Sequence, residues 1–77
     1  MTKKEFLGQL EEILQEDPGT LTGSELLDKV AGWDSLAVVS FIAMVDENLG
    51  ITVSPKEIAQ CKSVIDLAGL TEGKLTE

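Results

Sequence analysis

A serine beside an aspartate stands directly before the most apolar stretch of the chain, at Asp34-Ser35-Leu36. A serine hydroxyl can accept a phosphoryl group, and a phosphodiester in the first turn of a helix lies near free N–H groups and the positive end of the helix dipole. The run from Ala37 to Leu49 contains no Gly or Pro, so it predicts a long helix that begins at Asp34. Side chains of this turn point back toward the N-terminus, and a group on Ser35 would project outward. The sequence therefore predicts Ser35 as a covalent modification site.

Two side chains that often act as catalytic acids or bases are missing from this chain. It has no His and no Tyr, so a serine nucleophile has no nearby base of suitable pKa. The one cysteine, Cys61, lacks a partner base and is predicted to pack in the core. Acids are frequent, but they do not form a calcium-loop pattern, and there is no Cys/His pair for zinc. We therefore predict a protein that is not an enzyme and binds no metal.

Composition narrows the class of protein and of partner. A length of 77 residues allows one domain, and an apolar content of 43% supports a folded core. The net charge of −8 would repel nucleic acids and anionic lipids and would attract basic protein surfaces. A single cysteine fits a reducing compartment, and no apolar run is long enough for a signal peptide or a membrane span. We expect a cytoplasmic monomer.

The elements that must position Ser35 are helical. Thr2 and Glu5 have capping-box spacing ahead of helix 1, which is predicted over about 3–16 and ends at Asp17-Pro18-Gly19. A long loop then leads to helix 2. Three apolar residues of this loop are predicted to anchor it to the core: Leu26, Leu27 and Val30. Trp33 is expected to pack the end of the loop onto the bundle.

Two further helix starts follow helix 2. Ser54 and Glu57 predict a short helix 3 over Pro55 to Cys61, and Ser63 and Asp66 predict helix 4. Ile58 and Ala59 are expected to point inward. The polar tail, residues 71–77, is expected to fray. The predicted fold is all-α: a small antiparallel four-helix bundle over about 3–70, with three longer helices plus the short helix 3.

Helix 2 has two apolar stripes. The first, predicted to face the core, contains Val38, Phe41, Ile42, Val45 and Leu49. The second contains Leu36, Val39 and Ala43, with Ala37 and Met44 nearby. Because a purely solvated face would not be this apolar, the second stripe is predicted to meet another helix, a ligand or a partner protein. Leu36 and Met44 could equally complete the core of a small bundle.

The chain resembles the acyl carrier proteins of the phosphopantetheine-binding family over essentially its whole length. The resemblance rests on Asp34-Ser35-Leu36 after a first helix and a long loop, and on Ile51-Thr52-Val53-Ser54-Pro55 before a short helix. It implies that residues 1–77 form a single carrier domain. It also implies that a phosphopantetheinyl transferase moves 4′-phosphopantetheine from coenzyme A onto Ser35, with Asp34 and Leu36 beside it. The arm would then hold acyl groups as thioesters for delivery to partner enzymes.

The resemblance also implies a cargo site and a docking face. The positions matching an acyl pocket between helices 2 and 3 are Val39, Ile58 and Cys61. The docking face would include Leu36, Val39, Ala43, Met44, Asp46 and Glu47. Together with Asp34, its acids would meet basic docking patches on an acyl ligase or synthase. The alternative for Asp46 and Glu47 is an ordinary solvated surface.

Some positions differ from those of the housekeeping fatty-acid carriers that the chain resembles. Ala37 and Ser40 occupy positions where acids are common, and Lys56 and Lys62 lie in the helix 3 region. These differences predict a specialised carrier for one dedicated ligase or synthase, in a fatty-acid, lipid or polyketide type of pathway. A peptidyl or aryl carrier is the alternative within the class, although Asp34 before the serine favours an acyl carrier. Outside the class of carrier proteins, the alternative is a helical adaptor that is never modified.

Overall fold

Four α-helices and one 3₁₀ turn make up the regular structure of the computed structural model, which describes residues 1–76. The helices are α1 (Lys3–Leu14), α2 (Ser35–Leu49), α3 (Pro55–Ala59) and α4 (Val64–Gly69), and the 3₁₀ turn is Leu27–Lys29. The predicted all-α four-helix fold is confirmed. However, α4 has six residues, so the bundle has two long and two short helices rather than three longer ones. None of the helices described is long and apolar enough to cross a membrane.

Reciprocal side-chain caps begin three of the helices, as the sequence predicted. At α1, the Glu5 N–H donates to the Thr2 hydroxyl at 3.0 Å and the Thr2 N–H donates to the Glu5 carboxylate at 2.8 Å. The same pattern begins α3 at Ser54 and α4 at Ser63. Each cap satisfies N–H groups that the first turn of a helix cannot bond internally, and this fixes where the helix begins.

Helix α1 ends at Leu14, two residues before the predicted end. Gln15 takes a left-handed conformation with φ of 60°, and the Glu16 N–H donates to the Glu11 carbonyl at 2.9 Å. This hydrogen bond closes the helix end in the manner of a Schellman motif. The turn therefore comes before Pro18, the residue on which the prediction relied.

Helix α3 is also shorter than predicted and ends at Ala59 instead of Cys61. The Cys61 N–H donates to the Ile58 carbonyl at 3.0 Å, a three-residue spacing that tightens the last turn. Ile58 is buried as predicted, but Ala59 is exposed. One inward side chain is what a helix of little more than one turn can provide.

The core is centred on Phe41 of α2. Its ring meets Phe6 of α1 edge-on at 5.9 Å between ring centroids and Trp33 at 6.2 Å. Both contacts have the geometry that aromatic pairs prefer. The contact with Trp33 packs the end of the loop onto the bundle, as predicted.

The buried face of α2 differs in part from the predicted stripe. Phe41 and Val45 are fully buried, but Val38, Ile42 and Leu49 are only half-buried. The other buried residues of α2 are Ala37 and Met44. The core face is therefore turned toward the side that includes these two residues, and it leaves the Val38 side of the helix partly open.

The long loop between α1 and α2 is held by specific hydrogen bonds. The carboxylate of Glu11, a buried residue, accepts the Leu21 N–H at 2.8 Å. Farther along, the Leu27 N–H donates to the Lys62 carbonyl at 2.8 Å. Of the three predicted anchors, Leu27 is buried, while Val30 is half-buried and Leu26 is exposed. The loop is thus tied both to α1 and to the segment before α4.

The polar tail, which was expected to fray, forms hydrogen bonds with the N-terminus. Thr71 is buried, and its hydroxyl donates to the Ala68 carbonyl at 2.6 Å. The Lys3 N–H donates to the Thr76 carbonyl at 2.9 Å, and the Thr76 N–H donates to the Met1 carbonyl at 3.0 Å. The last residue of the predicted tail, Glu77, lies outside the residues described.

Candidate functional site

Ser35 is the first residue of α2, and Asp34 is the N-cap. The Ala37 N–H donates to the Asp34 carboxylate at 3.0 Å, which fixes the start of the helix where the sequence predicted it. Ser35 is exposed. Within residues 1–76, no hydrogen bond forms to its hydroxyl, and the N–H groups of Ser35 and Leu36 have no acceptor. An exposed hydroxyl therefore lies beside two free donors at the positive end of a long helix.

The other serines of the chain differ from Ser35 in burial or in hydrogen bonding. Ser54 and Ser63 use their hydroxyls to cap α3 and α4. Ser24 lies 3.1 Å from the Thr22 hydroxyl, oxygen to oxygen. Ser40, inside α2, is half-buried. Among these serines, Ser35 alone combines an exposed side chain with a hydroxyl that has no partner in the residues described.

The chain enters α2 by passing close to the end of α1. Gly32 has a φ of 86°, and a Cβ atom at this position would lie 3.3 Å from the Leu14 carbonyl oxygen. Glycine is suited to this position because it tolerates positive φ and brings no side chain into the contact. The approach positions the Asp34 cap, and with it Ser35, relative to the bundle.

A groove of about 540 Å³ begins beside Ser35 and runs between α2 and α3. Its lining is mostly apolar: Leu27, Asp28, Trp33, Ser35, Val38, Val39, Ile42, Pro55, Ile58, Ala59 and Cys61. Asp28, from the 3₁₀ turn, is the one charged residue in this lining. The groove could shelter an apolar chain that is attached at Ser35.

All three residues predicted to form an acyl pocket line this groove. Val39 comes from α2, Ile58 from α3 and Cys61 from the turn after α3. Cys61 is half-buried rather than fully in the core, and its thiol lies 3.6 Å from the Glu57 carbonyl oxygen. Burial, and then the negative charges of Asp66 and Glu57, raise the pKa of the Cys61 thiol. The thiol therefore stays protonated at neutral pH and is a poor nucleophile.

The structure brings most of the predicted docking residues to the surface of α2. Leu36 is 74% exposed and Val39 is 62% exposed. Ala43, Asp46 and Glu47 are also exposed. The prediction for Met44 is wrong, because this side chain is 6% exposed and belongs to the core. Met44 follows Phe41 by three residues, and this spacing places both residues on the same side of the helix.

Several groove residues were not predicted as part of a site. Val38 and Ile42 were assigned to the core, and Leu27, Asp28 and Pro55 were given no role in a pocket. The 3₁₀ turn reaches the groove through contacts between segments distant in sequence, which local patterns do not reveal. The signal in the sequence that could have indicated this contact was the apolar character of Leu27. Among residues 1–76, no group of His, Cys, Asp and Glu side chains is arranged to hold a metal ion.

Comparison with protein families shows to which family the chain belongs. Residues 4–71 match the family model described as a phosphopantetheine attachment site. Searches of curated proteins and of solved structures returned no significant match. An exposed hydroxyl, two free N–H donors and an adjoining apolar groove suit a long, flexible arm attached through a phosphodiester. Domains of this type bind 4′-phosphopantetheine covalently, and the chain belongs to this family of carrier domains.

Proposed function

We propose that the chain is an acyl carrier protein and that Ser35 is its attachment residue. The observation that carries the proposal is the exposed, unbonded hydroxyl of Ser35 at the start of α2, at the edge of the apolar groove. When bound, 4′-phosphopantetheine supplies a thiol that holds an acyl group as a thioester. The protein supplies the attachment point, shelter for the cargo and a docking face.

The start of α2 is well suited to a phosphodiester. In the transfer, the Ser35 oxygen attacks the phosphorus of coenzyme A that bears the pantetheine. The bond between the two phosphates breaks, adenosine 3′,5′-bisphosphate leaves, and the serine proton passes to a base on the transferase. The free N–H groups of Ser35 and Leu36 and the helix dipole then favour the negative charge. Asp34 holds these donors in place by accepting the Ala37 N–H of the same first turn.

The groove supports an acyl cargo over a purely polar one. Its walls include Trp33, Val39, Ile42 and Ile58, so an apolar chain would leave water there. Cys61 lies in the same groove, and its raised thiol pKa reduces the chance that it attacks a thioester nearby. We propose that Val39, Ile58 and Cys61 contact the cargo.

Partners and pathway follow from the same site. We propose that a phosphopantetheinyl transferase and a dedicated acyl ligase or synthase act on a monomeric carrier domain in the cytoplasm, where coenzyme A is available. Leu36, Val39 and Ala43 would contact these enzymes, with the acids Asp34, Asp46 and Glu47 at the margins. No charged residue occurs in α2 before Asp46, which supports a specialised fatty-acid, lipid or polyketide type of pathway rather than general fatty-acid synthesis. Ala37 adds nothing to this argument, because it is buried in the core.

Intact-mass spectrometry tests the attachment. Incubation with coenzyme A and a phosphopantetheinyl transferase should add one phosphopantetheine to the wild-type chain and none to Ser35→Ala. Ser40→Ala is the matched control, because it removes a hydroxyl from the same helix and should still be modified. A wild-type chain that stays unmodified would support a helical adaptor that is never modified. Modification of Ser35→Ala would show that a residue other than Ser35 carries the phosphopantetheine.

A further inference from the structure

Asp28 places a single carboxylate in the apolar groove between α2 and α3. It belongs to the 3₁₀ turn, and the Leu27 N–H of this turn donates to the Lys62 carbonyl at 2.8 Å. Because this bond holds the turn against the segment after α3, Asp28 and Cys61 line the groove together. Asp28 is exposed, and in the part of the chain that the structure describes its carboxylate forms no hydrogen bond or ion pair. Its charge is therefore available to a molecule in the groove.

Trp33 lines the same groove and is a second group that attracts cations. The π-system of an indole is negative over its faces, and proteins bind ammonium groups with aromatic rings for this reason. Trp33 is half-buried, so part of its surface is open to a ligand. A carboxylate and an indole thus occur in one lining, and both favour a positive group.

Further negative charges act near the groove. Burial, and then Asp66 and Glu57, raise the pKa of the Cys61 thiol, which shows that both carboxylates are close enough to act on a groove residue. Asp34 is exposed as well. It caps α2 and does not line the groove, although it directly precedes Ser35, which does. The acids around the groove therefore add to the effect of Asp28.

The lysines of these segments do not offset that charge within the groove. Lys29, Lys56 and Lys62 are exposed, and none of the three is part of the lining. A lysine ammonium is strongly hydrated and stays in water where it can. A cargo carboxylate inside the groove would therefore meet Asp28 with no lysine of the lining beside it.

We propose that the groove favours an acyl cargo that carries a positively charged group, such as an ammonium, over one that carries a carboxylate, and that Asp28 makes the distinction. This inference rests on the proposed carrier function and names a class of cargo for it. The apolar walls would cover the hydrocarbon part of the cargo, while Asp28 and Trp33 would contact the cationic group. A neutral acyl chain gains only the first of these contributions.

Protection of the thioester from hydroxylamine tests the proposal. A phosphopantetheinyl transferase loads the chain from three coenzyme A thioesters of equal chain length: octanoyl, ω-aminooctanoyl and ω-carboxyheptanoyl. The hydroxylamine nitrogen attacks the thioester carbonyl, the thiol of the arm leaves, and intact mass follows the loss of the acyl group. The rate for the same acyl group on coenzyme A, divided by the rate on the protein, gives a protection factor from which intrinsic reactivity cancels.

The protection factors should depend on the charge of the cargo. In the wild-type chain, we expect a factor about threefold higher for aminooctanoyl than for octanoyl, and about threefold lower for carboxyheptanoyl. In Asp28→Asn, the three factors should agree within about twofold. Asp17→Asn is the matched control, because Asp17 is an exposed acid of the same loop that does not line the groove. This control should keep the wild-type order, and circular dichroism checks that both variants are folded.

Each outcome decides the inference. Equal protection of the three cargoes in the wild-type chain, or an unchanged order in Asp28→Asn, would overturn it while leaving the carrier function intact. Loss of the order in Asp17→Asn would also overturn it, since the net charge of the domain would then be responsible. A wild-type chain that takes up no phosphopantetheine even from unacylated coenzyme A would overturn the carrier function itself, and the inference with it.

Discussion

The two sides of α2 have similar composition and opposite surroundings. Val45 and Val39 are the same residue type in the same helix, yet Val45 is fully buried and Val39 is 62% exposed. The buried side is fixed by packing against α1, with Phe41 at its centre. The exposed side begins at Ser35 and lines or borders the groove. Packing within the fold therefore accounts for the apolar residues of the buried side but not for those of the outer side.

The same substitution at these two valines gives the largest expected contrast. Val45→Ala removes packed methyl groups and should lower the free energy of unfolding by about 2–3 kcal/mol. Val39→Ala should change it by less than about 0.5 kcal/mol, since the side chain is solvated and alanine favours helix. Urea denaturation measures both values. Equal losses would contradict the contrast between the two sides.

Gly32 lies in the segment that leads into α2, and its substitution tests whether this segment positions the outer side of the helix. Gly32→Ala should lower the unfolding free energy by about 1–3 kcal/mol, because alanine is strained at positive φ and its Cβ would press on the Leu14 carbonyl. Gly19→Ala is the matched control: Gly19 has a φ of 87° but faces open space. Thermal denaturation should show the larger loss for Gly32→Ala. Similar losses of stability in the two variants would mean that the close approach of Gly32 to Leu14 of α1 does not contribute to the destabilisation.

The loop that leads to the outer side should respond to acid through Glu25. Its carboxylate accepts the N–H groups of Thr22 and Gly23, each at 2.8 Å, and the Thr22 hydroxyl at 3.0 Å. These bonds, that to the Thr22 N–H first, lower the pKa of Glu25 to about 2. A lowered pKa means that the ionised form stabilises the fold above the ordinary carboxyl pKa, and that this stabilisation is lost as the pH falls toward about 2.

Glu25→Gln should therefore cost less than about 1 kcal/mol at neutral pH, because the group is close to solvent. The difference in unfolding free energy from wild type should stay constant down to a pH of about 5 and then shrink. Urea titrations across this range measure it. Glu72→Gln is the charge-matched control in the tail, and a difference that grows on acidification would contradict the role of Glu25.

Local signals in the sequence predicted where helices begin much better than where they end. The caps at Thr2, Asp34, Ser54 and Ser63 lie within three residues of the groups that they bond, so their spacing is visible in the chain. The end of α1 depends on Gln15 taking a left-handed conformation, which is unusual outside glycine and asparagine. No short-range pattern announces it.

Features that join distant segments were not predictable in the same way. Thr76 pairs with Met1, 75 positions away, and so the tail looked free in the sequence. Met44 lies between the two stripes of α2, and only the packing of the whole core decides that it is buried. Ser35 could be predicted as a candidate because the capping residue, the hydroxyl and the helix that follows are adjacent in the sequence. The full lining of the groove needed the 3₁₀ turn, which folds back from the first loop.

Trp33 gives this molecule a built-in optical reporter. It is the one tryptophan of the chain, which has no tyrosine, and its half-buried ring forms a wall of the groove beside Ser35. Ultraviolet emission of the native protein therefore comes from a single indole at the place where cargo would lie. Displacement of water from the groove would shift the wavelength of that emission, so loading could be followed in solution without a label.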